Sequence, residues 1–342
     1  MRTPRGAYSV RVDSIMPVTR RSELLKARLD RLTRVLHGVE KGDIRALHRA
    51  RVATRRLREL LPVLQLDHAT AHKLNRRLRR VTARLGTVRE LDVLLLLIDE
   101  LHISRRVSTG PIARVGVAIS KARDDARKQL FDRLPVDALR RLTRKLDRLV
   151  HELAKQEESV DGQVRGRAAA VSGWRWALEA RVAKRASRLR VAIDEAGAVY
   201  LPDRLHEVRL AVKKLRYAVE LAGEASGARR GPDLRALTRG QEILGRMHDL
   251  QVLIDRVRDI QASLAPPSLG AWHELDDIVA SLDEDCRRLH ARYMRARVAL
   301  RALADRHARG EGAQAVVPAG GPPTARSRRG ATTAAASSRR VS

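Results

Sequence analysis

Apolar positions recur along most of this chain at three- and four-residue intervals, the spacing of one face of an α-helix. Leu47, Ala50, Ala53, Leu57 and Leu61 form one such row. On a helix turning roughly 100° per residue they share a side, as the inward face of an amphipathic helix must. Similar rows predict helices over residues 20–38, 43–65, 68–84, 87–102, 111–132 and 135–157, broken at Gly42, Gly86, Gly110 with Pro111, and Pro135. Residues 158–172 are small and polar and read as a linker. Helical spacing resumes over 173–197, 202–226, 230–242 and 246–263, and after Pro266 and Pro267 it runs from 269 to 308. No segment sustains the period-two alternation of a strand, so the expected fold class is all-α. Residues 1–18 read as a loose leader. Residues 309–342 carry almost no large apolar side chain and are expected to form a disordered tail.

The polar face of one helix is as regular as its apolar face. His48, Arg51, Arg55 and Arg58 fall within an arc of about 80°. Adjacent like charges at this spacing repel by roughly a few tenths of a kcal/mol per pair. A sequence that keeps them in a row implies a compensating anion. The row returns 158 residues later as His206, Arg209, Lys213 and Arg216, in a shared pattern H-x-x-R-φ-A-x-[RK]-[RK]-L-R. A second match follows at an offset of 159: Leu85-Gly86 through Leu94 against Leu244-Gly245 through Leu253. In that register Arg76 and Arg80 align with Arg235 and Arg239, giving each half a second basic row. A duplication of this length predicts two similar helical bundles, residues 19–157 and 173–308, enclosing a basic groove or cavity.

Composition narrows the partner. The chain has 342 residues with 70 Lys+Arg against 40 Asp+Glu, a formal charge of +30. Such a surplus points to a polyanion: nucleic acid, anionic membrane surface or polyphosphate. One Phe, three Trp and four Tyr leave few platforms for base stacking, and within the two stripes only Tyr217 is aromatic. Single-stranded nucleic-acid binders rely on such platforms, so a polyanion without bases is favoured. One cysteine, Cys286, excludes an internal disulfide framework and fits a reducing compartment. No apolar run of signal-peptide length lies in 1–18, and the longest aliphatic stretch, Val93–Ile98, is too short to span a bilayer. The expected location is cytoplasmic, with no membrane insertion.

No catalytic signature emerges: no Gly-rich phosphate loop, no G-x-S-x-G and no metal triad. Neither catalytic residues nor a cofactor are therefore expected. His68 and His72 have a zinc-compatible i, i+4 spacing but no third ligand. Asp276, Asp277, Asp283, Glu284 and Asp285 read as a solvated helix face; Cys286, Trp174 and Trp176 read as packing residues.

The two histidine-led stripes, each followed by its Leu-Gly pair and an acidic residue, Glu90 or Asp249, resemble the CHAD family, the conserved histidine α-helical domain. The resemblance covers roughly residues 19–308. It implies two pseudo-symmetric bundles around a basic cavity that binds inorganic polyphosphate. Carried over by position, the binding residues are His48, Arg51, Arg55, Arg56 and Arg58, with His206, Arg209, Lys213, Lys214 and Arg216 in the second half. Some family members carry a triphosphate-hydrolysing tunnel domain upstream; with residues 1–18 ahead of the helices, none is expected here. Polyphosphate-granule association would follow from this reading. The alternatives are nonspecific nucleic-acid binding, to which the Arg-rich tail would contribute, and phosphoryl transfer through a histidine phosphoacceptor.

The chemistry suits the stripe. Successive helical turns place side chains roughly 5 Å apart, a spacing that follows the units of a phosphate chain. Arginine's planar fork donates two hydrogen bonds to phosphate oxygens. Neighbouring arginines should hold the histidines neutral until an anion arrives, so affinity is expected to rise from about pH 8 to pH 6.

Overall fold

A computed structural model describes residues 20–104, 109–133, 136–161, 164–227, 231–264 and 269–310, and among these every regular element is a helix. The order is α1 (Arg21–Thr33), α2 (Leu36–Glu40), α3 (Ile44–Leu60) with a 3₁₀ turn (Leu61–Val63), α4 (His68–Ser104), α5 (Thr109–Arg133) and α6 (Val136–Asp161). There follow α7 (Val164–Ala196), α8 (Pro202–Ser226), α9 (Gly231–Ala262) and α10 (Leu269–Ala308). The all-α expectation holds. The expected leader, and the tail beyond Gly310, lie outside the described residues.

Helix ends fall where the local chemistry is strong. Gly42 supplies a left-handed residue (φ 71°) and Asp43 caps α3 by accepting a hydrogen bond from the Ala46 amide. Pro202 opens α8, and Gly227, at φ 68°, closes it. The break expected at Gly42 occurs, but those expected at Gly86 and Gly245 do not. Gly86 lies inside α4 and Gly245 inside α9, so the four helices expected over 68–102 and 230–263 are two. A helical glycine costs only about 1 kcal/mol relative to alanine, and the buried rows run straight through: Leu78, Val81, Leu85, Val88 and Leu91 in α4, Leu237, Ile243, Leu244, Met247 and Leu250 in α9. The expected linker is also mostly helical backbone, since α6 continues to Asp161 and α7 begins at Val164. Its alanine run, Ala168 to Ala170, has the highest intrinsic helix propensity. The first predicted helix, in contrast, divides in two at Arg34 and Val35.

Two apolar cores organise the helices. One gathers α1–α3, the 3₁₀ turn, α4 from Leu74 to Val88, Leu130 near the end of α5, α6, the early α7 residues Trp174 and Leu178, and Leu221 and Ala225 late in α8. The other gathers α4 from Leu91 to Leu101, the start of α5, the rest of α7, and α8, α9 and α10. The boundary between cores therefore crosses α4 between Val88 and Leu91 and does not follow the linker. Trp174 packs as expected, but Trp176 is 74% exposed. Cys286 is buried, its thiol donating toward the Met247 carbonyl.

Close approach explains one helical glycine. A Cβ on Gly240 would stand 2.9 Å from Cδ1 of Leu300, itself buried, whereas nothing lies within 4 Å of a Cβ on Gly245. Gly240→Val should destabilise the fold by roughly 1–3 kcal/mol through overpacking. Gly245→Ala should stabilise it by about 0.5–1 kcal/mol through helix propensity. Urea midpoints of the two variants, moving in opposite directions, check the pair.

The site is placed by four of these helices. α3 packs along α4, and α8 along α9; α3 also touches α8, and α4 touches α9. The middle of the molecule is therefore the meeting of α3, α4, α8 and α9.

Candidate anion-binding cleft

The two basic stripes meet. Arg55 Nη1 on α3 donates to Tyr217 Oη on α8 at 3.2 Å, and Arg56 Nη2 lies 3.7 Å from Glu220 Oε2. These contacts hold the polar edges of α3 and α8 together, so charges from one helix act on the other. The positive neighbours of Lys213 are Arg55, Arg209, Arg51 and Lys214; those of Arg209 include Arg55 across the seam. Both Arg51 and Arg209 also sense the Glu90 carboxylate and the Tyr217 phenol.

α4 and α9 add charged and histidine side chains to this cluster, at positions matched in the sequence. Arg89 faces His48 in the first half, and His248 faces His206 in the second, with Nδ1 atoms 3.2 Å apart and ring centroids 4.5 Å apart. One imidazole must donate and the other accept, so the accepting ring is neutral and the two cannot both be protonated while the bond is kept. Glu90 is the acidic neighbour of Arg51, and Asp249 lies 4.0 Å from Arg209. Gly86 leaves room for Arg51, whose guanidinium nitrogen would be 3.4 Å from a Cβ at that position.

Burial and mutual repulsion act together on these groups. Desolvation first, then Arg55, Arg209, Arg51 and Lys214, pull the Lys213 ammonium down to about 7. Desolvation, Arg209, His206 and Lys213 hold the His248 imidazole near 4. His48 and His206 are also lowered, chiefly by desolvation, with Arg89, Arg51 and Arg55 acting on the first and Arg209 and Lys213 on the second. Burial raises the Asp249 carboxyl against the opposing pull of Arg209. Arg51 Nε is buried with no hydrogen-bond partner. A buried donor of that kind normally finds one. An anion seated between α3 and α8 would satisfy it and relieve the repulsion around Lys213.

Of the residues singled out in the sequence, His48, Arg51, Arg55, His206, Arg209 and Lys213 are brought together here. Arg58 ends the stripe, reaching Asn75 Oδ1 at 3.5 Å near Arg79. Arg216 is engaged internally: it donates to Gln241 at 2.8 Å, pairs with Glu220, and lies 4.7 Å over the Tyr217 ring. Arg56 shares Glu220 and lines a groove between α1 and α3 with Arg31, Arg34 and His48. Lys214 lines a different groove, between α7 and α8, with Arg185, Arg188, Glu195 and Glu207. Arg76, Arg80, Arg235 and Arg239 are exposed, and no contact draws them into the cleft. The reason is the unbroken α4: its side toward α3 carries Asn75, Thr82, Gly86 and Arg89, whereas Arg76 and Arg80 each sit roughly 100° around from their neighbours Asn75 and Arg79.

Sequence reasoning missed Arg89, His248 and the contacts of Tyr217. A signal existed for the first two: each stands three residues after the glycine of its Leu-Gly pair. His68 and His72 stack with ring centroids 6.2 Å apart, and among the described residues no group of three metal-type ligands forms. The acidic cluster is partly spent on arginines, Asp283 with Arg258 and Glu284 and Asp285 with Arg288. No helix of the described residues is long and apolar enough to cross a membrane.

The architecture is that of an all-helical domain with histidine-led basic helices apposed at its centre. The chain belongs to the CHAD domain family, whose sequence pattern matches residues 23–258. Its fold is similar to the crystal structure of the CHAD domain from the plant Ricinus communis, at 23% identity and a TM-score of 0.54, covering 84% of this chain and 92% of that one. It is also similar to PptA from Streptomyces chartreusis, at 18% identity and a TM-score of 0.55, covering 81% of this chain and 97% of that one. At such identities the likeness bears on fold alone. Comparison with curated proteins gives no match.

Proposed function

We propose that the cleft binds inorganic polyphosphate and does so without catalysis. The observation that carries this reading is the apposition of Arg51 and Arg55 with Arg209 and Lys213 across the α3–α8 seam, where burial first and these cations second pull the Lys213 ammonium down to about 7. Each helix offers cations about one turn apart, so a flexible phosphate chain lying along the seam meets a donor at successive units. Arginine forks bind its oxygens, and Lys213 gains its proton as the chain arrives. The half-buried setting strengthens each contact relative to an exposed one. The identity of the chain rests on membership of the family; the cationic surplus rests on this molecule's own residues. Association with polyphosphate granules follows from the same binding.

Nucleic acid is the second reading, and the cleft disfavours it. Its one aromatic, Tyr217, is buried and already covered by Arg55 and Arg216, so no face is open for a base to stack on. Competition separates the two. Labelled long-chain polyphosphate should resist displacement by duplex DNA or RNA at physiological salt, compared per unit charge. Equal displacement by nucleic acid would remove polyphosphate as the preferred ligand. Incubation with polyphosphate and a divalent cation should release no phosphate above background; steady release would replace the binding reading with a catalytic one.

A further inference from the structure

A second cationic feature, lying between α4 and α6, plays no part in the cleft. α4 and α6 diverge over a groove formed by two adjoining hollows of about 350 and 610 Å³. Arg77, Arg80 and Arg84 stand on the α4 wall, and Arg141, Arg144, Lys145 and Arg148 on the α6 wall. Val81, Ala138 and Leu142 make an apolar floor. One carboxylate, Asp147, lies in the lining, and its closest basic partner is His151, at 4.0 Å. Among the described residues no carboxylate forms an ion pair with Arg77, Arg80, Arg141, Arg144, Lys145 or Arg148. Carboxylates are not short nearby: the adjacent Arg140 pairs with Glu40 at 2.6 Å and with Asp137 at 3.6 Å.

The second half of the molecule handles the matching face differently. At the offset of 159, Arg77, Val81 and Arg84 align with Ala236, Gly240 and Ile243. There the face is apolar, and α10 closes on it tightly enough to set Leu300 against Gly240. In the first half the matching face carries Arg77 and Arg84 and borders an open groove. Arg77 and Arg80 on one wall and Arg141, Arg144 and Arg148 on the other bring like charges together, and an anion between them would be favoured.

We propose that this α4–α6 groove is a second phosphate-chain site, separate from the α3–α8 cleft. From Arg77 to Arg84 the wall is roughly 10 Å long, with a cation at nearly every turn and another row opposite. The lining offers no aromatic, amide or hydroxyl side chain that would read a base or a sugar. A slender chain of phosphates fits these walls. A long polyphosphate engaged in the cleft and in the groove would be held at two points, and its affinity would exceed that of either point alone. The double attachment rests on the cleft reading; the groove site does not.

The test uses the full chain, short linear polyphosphate titrated by calorimetry, and two variants. Arg77→Gln/Arg141→Gln/Arg144→Gln disarms the groove, and Arg51→Ala/Arg209→Ala disarms the cleft. The native chain should bind two short polyphosphates, each variant one, and the combined variant none. Long-chain affinity should fall by about tenfold or more in the groove variant. Unchanged stoichiometry and unchanged long-chain affinity in the groove variant would overturn the proposal. A cleft variant that still binds two, beside a groove variant that binds one, would sink the cleft reading and leave the groove standing. Tighter binding of RNA than of polyphosphate, per charge, to the cleft variant would reassign the groove to nucleic acid. Removing like charges should leave the ligand-free melting temperature equal or higher. If the triple variant melts lower instead, the pair Arg144→Gln/Arg148→Gln reads the same stoichiometry.

Discussion

Alanine at both Arg51 and Arg209 should weaken binding of long-chain polyphosphate by roughly 10²–10⁴-fold. The two side chains stand on opposite walls, are half-buried, and respond to the same Glu90 and Tyr217. A hydrogen bond to a charged group contributes about 1.5–3 kcal/mol, so two contribute roughly 3–6, and each 1.4 is a factor of ten. Two secondary effects pull in opposite directions. Loss of both arginines lets the Lys213 ammonium rise, because both depress it, and this returns some affinity. Loss of Arg209 also removes the cation 4.0 Å from Asp249, which then repels phosphate more strongly unless it protonates. Anisotropy of a labelled chain measures the outcome, with helical circular dichroism as the folding control. Arg216→Ala is the informative contrast. Its loss strands Gln241 and leaves Glu220 only the longer contact with Arg56, so stability should suffer more than affinity. Removing the segment after Arg309 should cost less affinity than the Arg51/Arg209 pair. A double variant that binds as well as the native chain would exclude the α3–α8 seam as the binding site.

The second large effect is on pH. In the free protein Lys213 loses its proton at about 7, against an ordinary value of 10.5. A bound phosphate favours the ammonium and raises that value, so binding above neutrality takes up a proton. Affinity should therefore fall as pH rises above about 7, by up to roughly tenfold per pH unit over the window where the free lysine is neutral and the bound one charged. Below about 6 the lysine is charged in both states and contributes no slope. Calorimetry in buffers of differing ionisation heat should report the uptake directly, and Lys213→Arg should abolish the part of the slope above 7. If Lys213→Arg keeps the native pH dependence, another group is responsible. Folding runs the other way: between about 7 and 10.5 the unfolded chain binds the proton that the folded one does not, so this group's contribution to stability rises with pH.

The sequence-based expectation assigned this pH response to His48 and His206. Both are indeed lowered, and their direction agrees, since binding should push them up as well. Lys213 differs because it is more deeply enclosed by arginines from the partner helix, which no single-helix arc reveals. The stripes themselves were legible because charge and apolarity alternate on one helix with a strict period. The second basic row lies apart from the stripes for a related reason. Arg76 and Arg80 were matched by register, but register says which residues correspond, not which side of α4 faces α3. That side is fixed by the continuous buried row Leu74, Leu78, Val81 and Leu85, readable only once Gly86 is known not to break the helix. The partners of the stripes were only half within reach. Glu220 stands four residues after Arg216 on α8, an intrahelical pair that spacing alone offers, but its contact with Arg56 joins α3 to α8 and has no signal in the sequence.

The division of the apolar core has one further meaning. α4 contributes Leu74 to Val88 to one core and Leu91 to Leu101 to the other, while α7 and α8 likewise serve both. Cutting the chain at the junction of its two repeats would leave Leu91, Leu94, Leu97, Ile98 and Leu101 packed on α5 but without the α8, α9 and α10 residues that complete their core. Each repeat is thus a sentence that ends in the other's vocabulary. What the sequence writes twice, the molecule folds once.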